Sequence, residues 1–102
     1  MYQLVLQMAT TGSMDEFDEL IALEEALEAS LPPEHVVDGH DSGSGEMNIF
    51  IVTAKPEAAF EDVRGIVSEA QLDRVRAAFR SEDGDAYTIL WPESWPGPFK
   101  VA

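Results

Sequence analysis

Apolar and polar positions take turns at the start of the chain, Leu4, Leu6 and Met8 alternating with Gln3, Val5 and Gln7. A period of two is that of a strand covered on one face, so residues 2–9 are predicted as the first strand. Thr11-Gly12-Ser13 interrupts it, and Ser13 followed three positions later by Glu16 forms a capping box ahead of a helical period. Phe17, Leu20, Ile21, Leu27 and Leu31 carry that period, which predicts an amphipathic helix from Asp15 to about Ser30 that stops before Pro32-Pro33. Two extended segments follow, Glu34 to Asp41 and Glu46 to Thr53. The linker Ser42-Gly43-Ser44-Gly45 has the glycines a hairpin turn needs.

Lys55-Pro56 opens a second helical region with Phe60 and Val63 on its apolar side. Gly65 and a second capping box, Ser68 to Gln71, predict that this helix breaks and restarts. The restart is read as carrying Leu72, Val75 and Phe79 on one face as far as Ser81. Asp83-Gly84 then turns the chain into a last strand, Ala86 to Trp91. The order β-α-β-β-α-β predicts an α+β, ferredoxin-like split sandwich: a four-stranded antiparallel sheet, both helices on one face, the second broken near Gly65. The opposite face would carry Gln3, Val5 and Gln7 and lie open to a second copy, a homodimer, or to another protein.

Composition narrows the class. A chain of 102 residues, 45% apolar and without cysteine, suits one globular domain over 1–102, with residues 92–102 as an aromatic and proline-rich tail. Structural disulfides, thiolate nucleophiles and Cys-ligated zinc are excluded. The first residues lack a basic region, and no stretch of about 18 apolar residues occurs, so no signal peptide or membrane span is expected and the protein is read as cytoplasmic.

Charge changes the picture more. The net charge is −14, and it is uneven: eleven carboxylates and no Lys or Arg precede Lys55, while nine carboxylates and all six bases lie from Lys55 onward. DNA, RNA and anionic lipid would be repelled, so no nucleic acid and no membrane are expected as partners. Seven of the carboxylates fall between Asp15 and Glu28, with no base in reach of an i,i+4 pair. Such a helix is either a solvated acidic face or a docking surface for a basic protein, with Asp18, Glu24, Glu25 and Glu28 as its contacts; both readings stay open.

The densest polar stretch is the hairpin. Asp38, His40, Asp41 and Glu46 have donor types that suit a cation, although their spacing matches neither an EF-hand loop nor a two-His zinc signature. His40 is also a candidate general base, with Asp38 or Glu46 to orient it, whereas His35 is read as a surface residue. Asp41 and Asn48 are further candidate binding residues, and Trp95 and Phe99 in the tail either lap over the sheet or anchor a contact. Arg64, Arg74, Arg76 and Arg80 are interleaved with Glu69, Asp73 and Glu82, which predicts ion pairing within the helix rather than a phosphate site. No cofactor motif occurs. The expected function is a non-enzymatic acidic protein-binding module, with a small enzyme or a ligand- or metal-binding domain at the hairpin as the alternative.

The stretch Asp38 to Ile51, D-G-H-D-x-G-S-G-E-x-N-I-F-I, and the element Tyr87 to Pro92, Y-x-x-L-W-P, resemble those of a family of small uncharacterised bacterial proteins. That resemblance spans the chain and implies no particular activity. In type, small, acidic and cysteine-free, the chain is similar to immunity proteins that inhibit basic bacterial toxins, which implies docking through carboxylates.

Overall fold

β1 (Tyr2–Ala9) is hydrogen-bonded along one edge to β3 (Glu46–Thr53) and along the other to β4 (Val75–Ser81). β2 (His35–Gly43) adds to β3 and β5 (Thr88–Trp91) to β4. The result is an open α+β sheet of order β2-β3-β1-β4-β5 in which every neighbouring pair is antiparallel. The computed structural model describes residues 1–10, 12–43, 45–93, 99 and 101.

The period of two sets which side of β1 meets the helices. Leu4, Leu6 and Met8 stand opposite Ile51, Ile49 and Met47 on β3 and opposite Phe79, Ala77 and Val75 on β4. Directly opposed residues share a face. This layer forms the main core with Leu20, Leu23 and Leu27 of α1 (Met14–Ser30) and Ala59, Phe60 and Val63 of α2 (Pro56–Ile66). α1 starts where its capping box places it: Ser13 Oγ accepts the Glu16 N–H at 3.2 Å, and Glu16 Oε1 accepts the Ser13 N–H at 3.3 Å. Its last turn closes with the Leu31 N–H on the Leu27 carbonyl, just before Pro32. Gly45, at φ 79°, turns the hairpin between β2 and β3. Gly39 occupies the bulge that follows Val37 at φ 139°, a conformation side chains strain to reach.

The last third of the chain departs from expectation. The second capping box is present, Ser68 with Gln71, but it heads only a single turn, α3 (Glu69–Leu72). The predicted helix to Ser81 is instead β4, and the strand expected from Ala86 begins at Thr88 and is a fifth strand rather than the fourth. Leu72, Val75 and Phe79 fit a helical spacing, yet Val75, Ala77 and Phe79 also fit a period of two. The second edge of β1 decides between them, because β4 satisfies its backbone groups along the whole length. Trp91 ties β5 to α3 by donating its indole N–H to the Leu72 carbonyl at 3.1 Å, and the Arg64 guanidinium lies 4.9 Å above its ring.

The opposite sheet face is covered in its middle by the chain itself. Val5, Ala78 and Phe99 form a second buried cluster, flanked by Phe50, Tyr87, Ile89 and Val101, with the Tyr87 and Phe99 rings 5.0 Å apart. Phe99 therefore laps over the sheet, and the face is not left bare for a second copy. Trp95 lies outside the described residues.

Candidate functional site

With 100° between successive residues, α1 presents Asp15, Asp18, Ala22 and Glu25 along one stripe, with Glu28 at its border; all of them are exposed. Glu19 and Glu24 have found partners that no local spacing reveals. Arg74, in the turn before β4, donates from Nη2 to Glu19 Oε2 at 2.7 Å. That hydrogen bond and the charge behind it hold the Glu19 carboxyl below the usual carboxylate range and push the Arg74 guanidinium up. Glu24 meets His40 Nδ1 with both carboxylate oxygens, at 3.0 and 3.1 Å, and its side chain is only 12% exposed. Glu24, expected among the docking contacts, is turned from the exposed stripe and holds the hairpin to the helix. Phe17 adds to this contact, its ring edge-on to the imidazole at 6.0 Å.

The hairpin cluster does not converge. His40 stands opposite Ile49 and so faces the helices, while Asp41, opposite Asn48, and Glu46 face the other way. Glu46 pairs with Arg76 across the sheet at 3.2 Å, and Asp38 sits exposed at the bulge. The arrangement in which Asp38 or Glu46 orients His40 is replaced by Glu24. Among the described residues no three His, Asp or Glu side chains gather as a metal site would need. Asn48 is only 2% exposed and accepts a hydrogen bond from Gln7 Nε2 at 3.0 Å, which removes it from any surface contact. Asp41 remains exposed.

The basic residues are also distributed differently. Arg64 pairs within its helix, with Glu61 at 3.4 Å, but Arg74 and Arg76 reach α1 and β3, and Arg80 Nη1 donates to the carbonyls of Ser81, Glu82 and Gly84. A cleft of about 410 Å³ between Ala9, Asp73, Arg74, Arg76 and Trp91 is flanked by two guanidiniums that carboxylates already engage.

His35 is the residue that sequence reasoning misplaced. It is 4% exposed, with Nδ1 at 2.7 Å from Thr53 Oγ1 and Nε2 at 3.2 Å from Asp62 Oδ2. The carboxylate requires the proton on Nε2. Thr53 Oγ1 accepts the Lys55 N–H at 3.0 Å, so in the neutral imidazole the threonine hydroxyl donates to Nδ1. Hydroxyl, imidazole and carboxylate stand in the order that activates a nucleophile. Thr53, however, is wholly buried beside a space of only about 90 Å³, so the series ties β2, β3 and α2 together and offers a substrate no access. The signal lay in the hairpin register: His35 shares a face with Val37 and Ile51, and that face is inward.

No protein-family model, curated protein or solved structure matches the chain. Among the described residues no helix is long and apolar enough to cross a membrane.

Proposed function

We propose that the protein is a non-enzymatic binding module that docks a basic partner protein through α1, in the manner of an immunity-type inhibitor facing a basic toxin. The observation that carries this reading is the exposed stripe of Asp15, Asp18 and Glu25, bordered by Glu28, on a helix without a single Lys or Arg. Charge of one sign held on a rigid element speeds encounter with an oppositely charged surface and rejects like-charged ones. The strand order of β1 to β4 further supports reading the scaffold as a ferredoxin-like split, extended by β5.

Affinity capture from lysate of the source organism tests the docking role. One basic protein should be retained at about 0.1 M salt and released near 1 M, where the Debye length falls from about 10 to about 3 Å. Charge reversal by Asp18→Lys, Glu25→Lys and Glu28→Lys together should abolish retention while the circular dichroism spectrum stays unchanged. Retention that survives both salt and reversal would refute the reading.

A further inference from the structure

Two large apolar side chains stand exposed at the start of α1, Met14 at 73% and Phe17 at 38%. They do not lie on a flat surface. Together with Thr10, Ser13, Ser42 and the buried Met47 they line a groove of about 320 Å³ between the first turn of the helix and the end of the hairpin. That volume is at the lower limit of small-molecule sites, about 300 Å³, and suits one large side chain.

The groove is apolar at its walls and acidic on its helix side. Asp18 follows Met14 by one turn on the same side of α1 and is exposed, as is the rest of the acidic stripe that runs on from it, whereas Asp41, next to Ser42, faces the other side of the sheet. Every element that builds it lies before Lys55, where the sequence has no base. A second copy of the chain would bring a further charge of −14 to this surface and be repelled. A cationic segment would be drawn to it, and a bulky apolar residue within that segment would find the groove open.

We infer that the groove of Met14 and Phe17 is the specificity pocket of the docking surface, seating a single aromatic or aliphatic residue that basic residues flank in the partner. The inference rests on the docking role proposed above, and it adds what the charged stripe alone does not supply. Carboxylates steer many cations alike, whereas a filled apolar pocket distinguishes one partner sequence from another.

Titration of the ¹⁵N-labelled protein with two synthetic peptides tests it, one a run of lysines and arginines with a central phenylalanine, the other identical but for glycine at that position. The phenylalanine peptide should bind at least about tenfold more tightly, the effect of one buried anchor. Its amide shift changes should centre on Thr10, Gly12, Met14, Phe17 and Ser42. The Phe17→Ala and Met14→Ala variants, both at exposed positions, should shrink that preference to less than about twofold and leave the salt-sensitive binding of the glycine peptide intact. Equal affinity for the two peptides, with shifts confined to Asp18, Glu25 and Glu28, would overturn the pocket and leave the acidic docking role standing. Binding of neither peptide would overturn both. Equal shifts from a neutral phenylalanine peptide, or self-association that Phe17→Ala reverses, would assign the groove to another occupant and overturn the inference.

Discussion

Buried polar side chains carry more of this structure than their number suggests. His35 joins three elements through one ring, and the His35→Ala change removes packing while leaving the buried Thr53 hydroxyl without its partner. A loss of about 2–4 kcal/mol in urea unfolding is expected. Thr53→Val keeps the volume but strands His35 Nδ1 and the Lys55 N–H, and should cost about 1–3 kcal/mol. Glu19 gives a pH signature. Because Arg74 lowers its folded pKa, the folded state binds fewer protons than the unfolded chain, so the contribution is fully present above the ordinary carboxylate value and vanishes as pH falls through the folded one. Both partners are partly exposed, which limits the effect to a fraction of about 1 kcal/mol. Glu19→Gln should therefore lower stability by that fraction at neutral pH and converge on the wild type below about pH 4, which flattens the acid limb of the stability profile. None of these partners was legible in the sequence. Glu19 and Arg74, Glu24 and His40, and His35 and Asp62 meet only after folding, whereas Ser13 and Glu16 are bound within one turn and could be read directly.

Elements were legible in proportion to how locally they are determined. Both capping boxes form as spaced, α1 begins within one residue of its expected start, and the hairpin differs only at its ends. Ser13→Ala should cost about 0.5–2 kcal/mol, readable as a lower thermal midpoint, because the Glu16 N–H at the head of α1 loses its acceptor, the Ser13 hydroxyl. β4 escaped because its Ala77 and Ala78 favour a helix locally, while the reward for extending them lies in β1, far along the chain. Ala77 is wholly buried opposite Leu6 and under the helices. Ala77→Leu should overpack that layer and cost about 1–3 kcal/mol in chemical denaturation, while a helix surface at this position would have accepted leucine freely.

Over the whole molecule, charge works against compactness. With a net −14 and few bases, mutual repulsion is strongest at low ionic strength, where the Debye length is about 30 Å, and fades near 0.15 M, where it is about 8 Å. Thermal midpoints should therefore rise with added salt over that range; a fall would mean that the ion pairs of Arg74 and Arg76 outweigh the repulsion. The position of β1 at the middle of the sheet has a consequence for how the chain acquires its shape. Val5 lies opposite Phe50 on one side and Ala78 on the other, so neither flank of the earliest strand finds its mate nearby in the chain. Closing such long loops precedes the contacts that reward it, which places refolding in the slower, millisecond-to-second range for a domain of this size. In any chain in which Val75 to Ser81 has not reached β1, that edge is a bare row of amides and carbonyls, open to pairing with a neighbour's at high concentration.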